Sequence, residues 1–378
     1  MTIGIAARFV LVSDPARANV YLKVFAPAAL AFADGQPLYA EGSGFRYPPL
    51  CAALFLPFAW CGPVLGSIVW RLFNVLVLGL GVRATFHAGF PDPLSSRERG
   101  VFLILLALAN AVSLNNGQPN VLILGLLLSA TAGALARRDR GPALAITGAT
   151  VCKVYPLVYG LVLATLRPRL LRWLLPAVVA AALVPCILQP PDYVFDQYGV
   201  LIDTLRHEDR TGDLSDAYRD LRLLAAAIGL PMPAVLFLLL QFFGGAGIVA
   251  WCWRLRTRGV SSPRVFEYAF SLTVCYFMLL GPATEKATYA LLGPTLAWPL
   301  LRALRTRGRP QLNLWLTANV LVVLAHTIEP RDRAVQAAYP ILRCFLPAAA
   351  LVATAALLAR GSREPRSALG DACPRPLR

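Results

Sequence analysis

Residues 101–130 read "VFLILLALANAVSLNNGQPNVLILGLLLSA", and this stretch decides the fold class. Two apolar runs without a charge enclose "SLNNGQPN" at 113–120, which holds five amide or hydroxyl side chains together with Gly117 and Pro119. In hydrocarbon the backbone must satisfy its own hydrogen bonds, so helices are the default and breaks occur only where protein or a water-filled cavity covers them. We therefore predict two membrane helices that meet at a polar, cavity-lining turn.

The composition of the whole chain agrees with a membrane location. Hydrophobic residues make up 57% and charged residues 15% of the 378 positions, and the mean hydropathy is +0.60, whereas an ordinary soluble domain is roughly 45–50% apolar and 25% charged. Apolar blocks recur at 49–60, 64–82, 100–112, 120–136, 142–151, 156–166, 173–188, 233–253, 265–281, 287–301, 311–325 and 338–359. Some blocks reach the length that one spanning helix needs, so we predict an all-α polytopic membrane protein with about 9–12 membrane helices.

Several of these blocks are too short to cross. We expect 49–60 to form a short helix that enters the membrane and returns, and the pair 142–151 and 156–166, broken at Lys153 to Pro156, to be similarly short. Residues 1–12 show no basic leader followed by a long apolar core, so we expect no cleavable signal there. The pattern leaves open whether a first spanning helix is missing.

Basic residues mark every second loop. The net charge is +16, and the arginines cluster just outside apolar blocks, at Arg137, Arg138, Arg140, Arg167, Arg169, Arg172, Arg254, Arg256, Arg258, Arg264, Arg302, Arg305, Arg307, Arg309 and from Arg360 onward. This alternation is typical of the positive-inside rule rather than of a nucleic-acid partner. We predict one multi-spanning domain at 1–360 in the cell membrane, an outer loop at 189–232, and a basic cytoplasmic tail at 361–378.

The outer loops collect polar side chains at membrane depth, which usually indicate function. The amides of Asn116, Gln118 and Asn120 both donate and accept hydrogen bonds, as binding of sugar hydroxyls requires. An ordinary polar turn is the alternative interpretation. The first loop, "DGQPLYAEGSGFRYPPL" at 34–50, mixes acids and bases with aromatic rings, among them Arg46 and Tyr47, and suits a saccharide or a phosphate.

Lys153 lies in the apolar stretch "GATVCKVYPLVYGL" at 148–161, and the chain has only two other lysines. A cation at this depth needs an anion or a water-lined cavity. A lipid phosphate at the membrane boundary would be such an anion, and Tyr155 with Pro156 favours a helix break beside it. The alternative is a lysine that extends from a helix end to the interface.

The order of these motifs resembles glycosyltransferase family 87, the polyprenol-phosphate-mannose-dependent transferases. The resemblance covers roughly residues 19–330 and rests on "PLY" at 37–39, "FRYPPL" at 45–50, "NNGQPN" at 115–120, "KVYPL" at 153–157, "QYGVL" at 197–201, "AYRDL" at 217–221 and "GPATEKATY" at 281–289. It implies a GT-C membrane fold, a donor sugar linked to a polyprenyl phosphate, and transfer to a lipid or glycan acceptor at the outer face.

The resemblance also implies roles for single residues. It places Gln118 and Asn120 near the sugar, Lys153 near the donor phosphate, and Tyr47 in the wall of the first loop. The full predicted substrate-binding set is Arg46, Tyr47, Asn116, Gln118, Asn120, Lys153, Tyr155, Arg219 and Lys286. This chain departs from the family in two places: "RANVYLKVF" at 17–25 has Asn19 and no carboxylate where relatives carry an aspartate, and Glu285 and Thr288 stand where relatives carry tryptophan and histidine.

Transfer from a polyprenyl phosphate needs positive charge on the leaving phosphate and a carboxylate that accepts the proton of the acceptor hydroxyl. The candidate bases are Asp34, Glu41, Asp216, Asp220 and Glu285. Glu285 ranks first because it begins a helix in a motif-bearing loop. Asp220 ranks second because Arg219 and Arg222 beside it make a structural ion pair equally plausible.

Cationic side chains can supply the charge that the reaction needs, and the cysteines and histidines show no ligand spacing. We therefore predict neither a metal nor another cofactor. Two other classes of protein stay open: a transporter or flippase for lipid-linked sugars, and a non-catalytic protein that binds them.

Overall fold

The computed structural model describes residues 19–207, 218–282, 284–306, 309–328 and 340–364, and these residues are helical with short connections. The helices are Tyr21–Ala33, Pro49–Trp60, Pro63–His87, Ser96–Asn116, Asn120–Leu135, Arg140–Cys152, Pro156–Leu166, Leu171–Leu183, Pro185–Leu188, Pro191–His207, Leu221–Ala227, Ala234–Thr257, Ser262–Leu280, Leu292–Thr306, Arg309–Ile328, Pro340–Arg343 and Phe345–Gly361, and a 3₁₀ segment, Lys286–Leu291, precedes the helix at 292. The predicted all-α class is confirmed.

Four of the described helical stretches are long and apolar enough to span a membrane, namely Pro63–His87, Ser96–Asn116, Ala234–Thr257 and Pro168–Leu188. The last of these joins a 3₁₀ turn, Pro168–Leu170, to the helices Leu171–Leu183 and Pro185–Leu188. Others are apolar but short. Pro49–Trp60 has 12 residues, or about 18 Å of helix at 1.5 Å per residue, which is less than the roughly 30 Å of hydrocarbon. The predicted mixture of spanning and shorter or broken helices is therefore confirmed.

The decisive stretch at 101–130 folds as two helices joined by a tight turn. Ser95 begins the first helix with a capping box, since its backbone nitrogen donates to the Glu98 carboxylate at 2.8 Å. Gly117 ends that helix with φ of +68°, a left-handed conformation that glycine adopts without steric cost. The next helix starts at Asn120, so only Gly117, Gln118 and Pro119 separate the two helices.

Small residues let this second helix lie directly against the helix Pro63–His87. A Cβ atom added to Gly81 would stand 2.2 Å from the carbonyl oxygen of Gly125, and one added to Gly125 would stand 2.5 Å from that of Val77. Both positions therefore require glycine, and backbone-to-backbone packing of this kind is common between membrane helices. The contact fixes the turn at 117–119 relative to residues 70–74.

The arginine-rich ends of several helices meet in one ionic cluster, which we call the arginine end. Glu267 is fully buried and pairs with Arg264 at 2.9 Å, Arg302 at 3.0 Å and Arg360 at 3.2 Å. Asp92 pairs with Arg264 and Arg302, at 2.8 and 2.7 Å, and Glu364 pairs with Arg360 at 3.2 Å. Three arginines thus face three carboxylates, at the opposite end of helices 96–116 and 292–306 from the turn at 117–119 and the segment at 285–291.

Two segments differ from the sequence prediction. The apolar blocks did not include the helix Tyr21–Ala33, because Asn19 and Lys23 interrupt its beginning. The predicted outer loop at 189–232 contains the helices Pro191–His207 and Leu221–Ala227. The first of them packs on the first loop, where Gln197 Oε1 accepts from Leu38 N at 2.8 Å and Tyr193 OH donates to the Gln36 carbonyl at 2.7 Å.

Candidate functional site

A line of hydrogen-bonded side chains connects three distant parts of the sequence. Gln118 Nε2 donates to Glu285 Oε2 at 2.7 Å, and Asn120 Nδ2 donates to Gln118 Oε1 at 2.8 Å. Tyr155 OH lies 3.5 Å from Asn120 Oδ1. Gln118 and Asn120 are buried, so their amides serve the protein interior and not bulk solvent. We call these four residues the amide chain.

Lys153 approaches the amide chain from the break between helices 140–152 and 156–166. Its Nζ donates to Thr288 Oγ1 at 3.4 Å, and the same hydroxyl accepts from Glu285 N at 3.3 Å. Nζ also lies 5.8 Å from the centre of the Tyr155 ring, within the distance of a cation–π contact. A cation, a carboxylate and two amides therefore share one side of the bundle.

The helix 63–87 holds the turn at 117–119 in place. Arg71 is buried and donates to the carbonyl of Leu114 at 2.9 Å and to that of Asn115 at 2.8 Å. Trp70 Nε1 donates to the Gly117 carbonyl at 2.8 Å. Asn74 Oδ1 accepts from Leu122 N at 3.0 Å. These bonds satisfy carbonyls and an N–H group at helix ends, which otherwise lack intrahelical partners.

Arg71 and Asn74 were not among the residues predicted from the sequence. Both lie inside the apolar block "IVWRLFNVLVLGL" at 68–80, where a charged or amide side chain is costly and so indicates a specific partner. Lys153 was predicted because it is a polar side chain in an apolar stretch, and the same observation would have pointed to Arg71 and Asn74.

Tyr47 brings the first loop to the site. Burial raises the pKa of Tyr47 well above its ordinary value, and the nearby Glu285 carboxylate raises it further. The phenol is therefore neutral and can donate a hydrogen bond. Its backbone carbonyl accepts from Tyr39 OH at 2.7 Å, and its ring packs 4.9 Å from that of Phe25. Arg46, the preceding residue, donates to the Phe45 carbonyl at 2.9 Å.

Asp220 lies close to the segment at 284–289 but has a structural environment. Its carboxylate caps the helix Leu221–Ala227 by accepting from Arg222 N at 2.9 Å and Leu223 N at 3.2 Å, and it pairs with the Arg222 guanidinium at 3.6 Å. Burial raises the pKa of Asp220, against the lowering effect of Arg222. Its neighbour Arg219 joins the two segments, since Arg219 N donates to the Thr284 carbonyl and Tyr289 OH to the Arg219 carbonyl, both at 2.7 Å.

Other predicted binding residues and candidate bases have different surroundings. Asn116 accepts from Asn115 Nδ2 at 3.4 Å, and Lys286 is half-buried at the start of the 3₁₀ segment. Asp34 and Glu41 are exposed on the first loop. Asp216 lies outside the described residues.

Asn19 occupies the position where the resembled family carries an aspartate. Its Oδ1 accepts from Leu22 N at 3.1 Å and lies beside Gly117. The first helix therefore begins next to the same turn that carries Gln118. In this chain the position offers a neutral amide, and the carboxylate that bonds to Gln118 on the other side of the turn is Glu285.

Fold and site together define a class: a polytopic helical membrane protein in which amides, a lysine and a carboxylate gather where helices break. A family model described as glycosyltransferase family 87 matches residues 45–282, which is more than half of the chain. The chain belongs to this family and is a membrane glycosyltransferase. Glu285 lies just beyond the matched residues, whereas Tyr47, Gln118, Asn120, Lys153 and Asp220 lie within them.

Individual proteins are similar to the chain over most of its length. A relative from Mycolicibacterium smegmatis (strain ATCC 700084 / mc(2)155), a polyprenol-phosphate-mannose-dependent alpha-(1-2)-phosphatidylinositol mannoside mannosyltransferase, is 26% identical over 342 residues, or 82% of this chain and 75% of the relative. Among solved structures, ArnT from Cupriavidus metallidurans bound to undecaprenyl phosphate matches with a TM-score of 0.47 and 16% identity, covering 96% of this chain and 76% of ArnT.

Proposed function

We propose that this GT-C glycosyltransferase moves a hexose, with mannose as the first sugar to test, from a polyprenyl-phosphate donor to a hydroxyl of a lipid or glycan acceptor. The observation that carries the proposal is the hydrogen bond between Gln118 and Glu285, because it joins sugar-compatible amides to the one carboxylate of the amide chain. The donor class is taken from family membership and from the substrate in the name of the mycobacterial relative.

Glu285 is the proposed base. In the reaction the acceptor oxygen forms a bond to the anomeric carbon of the sugar, while the bond from that carbon to the phosphate oxygen breaks. The acceptor proton passes to the Glu285 carboxylate, and the polyprenyl phosphate leaves with the electron pair. Gln118 Nε2 donates to Oε2 of Glu285, and we assign the acceptor hydroxyl to the same carboxylate as the group that takes its proton.

The other groups bind and orient the two substrates. Lys153 stabilises the negative charge that develops on the leaving phosphate, and its contact with Thr288 keeps it beside Glu285. Gln118 and Asn120 exchange hydrogen bonds with sugar hydroxyls, and Asn116 and Tyr155 complete that side. Tyr47 forms the wall of the first loop, with Arg46, Arg219 and Lys286 as further cations around the lipid phosphate.

The site faces the outer side of the cell membrane in this proposal, and the carboxyl terminus is cytoplasmic. The support is the grouping of the arginine-rich helix ends at the end opposite the amide chain, as the positive-inside rule requires. A reporter enzyme that works only in the cytoplasm, fused after Arg378, should be active, and the same reporter inserted after Pro282 should be silent. The reverse pattern would overturn the orientation.

The direct test is transfer of radiolabelled mannose from a polyprenyl phosphate to an extract of membrane lipids by the purified, reconstituted protein. We expect a labelled product and release of polyprenyl phosphate in equal amounts. Binding of the donor without a product would favour a non-catalytic sugar-lipid-binding protein. Movement of intact donor across sealed vesicles without a product would favour a flippase.

A further inference from the structure

A cavity opens between the helices 63–87 and 96–116 and runs from the arginine end towards the turn at 117–119. Its volume is about 520 Å³. Most of its wall is apolar, and the lining includes Val75, Gly79, Val82, Leu103, Leu106 and Leu114. Leu103 and Leu108 on the same helix and Leu76 and Leu80 on the facing one are exposed, so the cavity is a groove in a surface that faces hydrocarbon.

The charges of this groove stand at one end. Arg83, His87 and Arg99 line it near the arginine end of the bundle, whereas the lining residues towards the other end, Asn110, Leu114 and Val121, are neutral. Arg99 lies over the Phe86 ring at 5.4 Å and donates from Nε to the Leu94 carbonyl at 3.0 Å. Arg83 Nε donates to His87 Nε2 at 3.3 Å. These contacts leave the terminal guanidinium nitrogens of both arginines available to an anion.

The carboxylate next to Arg99 in sequence is already paired. The Glu98 carboxylate binds the Arg305 guanidinium. It also accepts a hydrogen bond from Ser95 N at the start of the helix. Among the described residues, no ion pair joins Arg83 or Arg99 to a carboxylate. The mouth of the groove is therefore positive without an internal counter-charge.

The length of the groove fits one leaflet. Residues 75–87 of the helix cover about 18 Å at 1.5 Å per residue, slightly more than half of the roughly 30 Å hydrocarbon thickness. An acyl chain of one leaflet can lie along the apolar wall while its headgroup stands at the arginine end. Arginine binds phosphate through paired N–H donors.

We propose that this groove binds an anionic glycerophospholipid of the leaflet opposite the amide chain, with the phosphate between Arg83 and Arg99 and one acyl chain along Gly79 and Leu106. The charge at the mouth and the apolar wall behind it select an amphipathic anion over a zwitterionic lipid. The site is independent of the proposed sugar transfer, because it shares no residue with the amide chain.

Native mass spectrometry tests this assignment. The protein is reconstituted into vesicles of equal parts phosphatidylglycerol and phosphatidylcholine, released in mild detergent, and its lipid adducts are counted. The unchanged chain should retain phosphatidylglycerol in preference to phosphatidylcholine. The pair R83Q/R99Q should lower that retention at least about tenfold, because two charge-assisted contacts are lost. The matched pair R97Q/R169Q removes two exposed arginines outside the groove and should change nothing.

A variant that fills the groove tests the acyl part. A Cβ atom at Gly79 meets nothing within 4 Å, so Gly79→Leu occupies the groove without a clash and should remove the adduct. Gly100→Leu, at an equally open position outside the groove, is its control. Thermal unfolding of each variant reports folding. Equal retention of both lipids, retention by R83Q/R99Q or by Gly79→Leu, or a dimer of the chain in place of the adduct would each overturn the proposal.

Discussion

The two ends of the molecule each contain a carboxylate inside the helix bundle, and their surroundings are opposite. Glu267 at the arginine end is fully buried and meets three guanidinium groups within 3.2 Å. Glu285 in the amide chain is half-buried and accepts a hydrogen bond from the neutral amide of Gln118. A carboxylate surrounded by guanidinium groups holds a fold together, whereas one that bonds to a neutral amide takes up a proton more readily.

The largest effect should follow from the change at the amide chain. Glu285→Gln keeps the size of the side chain and a hydrogen bond to Gln118 but cannot accept a proton, and a positioned base contributes typically about 100 to 10,000-fold. Sugar transfer by reconstituted protein should fall by that factor, with binding of the donor lipid and the temperature of unfolding nearly unchanged. Glu41→Gln, at an exposed carboxylate of the first loop, serves as the control and should keep full activity. Full activity in Glu285→Gln would exclude the proposed base.

Substitution of the carboxylate at the arginine end should lower the stability of the protein and not the transfer rate. Glu267→Gln leaves three arginines against two carboxylates, and loss of one partner of a buried ion pair costs about 3–5 kcal/mol. The temperature of unfolding in detergent should drop sharply, while the transfer rate per folded molecule stays the same. Glu98→Gln is the matched control, because Glu98 pairs with the more exposed Arg305 and such pairs contribute about 1 kcal/mol or less. If the two variants unfold alike, the ionic cluster does not hold the bundle together.

A smaller effect is expected where the amides themselves are changed. Gln118→Met removes the donor to Glu285 and a predicted contact to the sugar, and hydrogen bonds to charged groups contribute about 1.5–3 kcal/mol. Transfer should fall about ten- to hundred-fold, with insertion into the membrane retained. Asn115→Leu changes an amide at the end of the helix 96–116, whose side chain bonds to Asn116, and should change the rate little. Equal transfer rates for the two variants would mean that "SLNNGQPN" is an ordinary polar turn without a role in sugar binding.

These comparisons also separate what the sequence predicts from what it does not. Hydropathy gave the short helices at 49–60 and 156–166 with their correct ends, because proline begins both and the apolar run sets their length. Polar residues in apolar surroundings pointed to Gln118, Asn120 and Lys153, which the structure places together.

Contacts between residues far apart in the sequence could not be predicted from it. Gln118 and Glu285 are 167 positions apart, and only the packing of helices fixes their distance. Glu267 and Arg71 lie inside long helices, where their charge is visible but the direction in which each side chain points is not. The same ambiguity applied to Asp220, whose sequence neighbours allowed both a base and an ion pair.

The smallest effect on sugar transfer is therefore expected from substitutions at Asp220. Comparing them with Glu285→Gln tests which of the two carboxylates is the base. Asparagine caps helices about as well as aspartate, so Asp220→Asn should keep the bonds to Arg222 N and Leu223 N and leave both stability and transfer close to normal. Asp220→Ala removes the cap and should cost about 1 kcal/mol of stability, again with little change in the rate per folded molecule. Because Arg219 next to Asp220 binds the backbone of the segment that carries Glu285, a modest loss in Asp220→Ala alone would reflect a shift of that segment. A loss of transfer in Asp220→Asn as large as that in Glu285→Gln, with stability intact, would instead make Asp220 a second group on the proton's path.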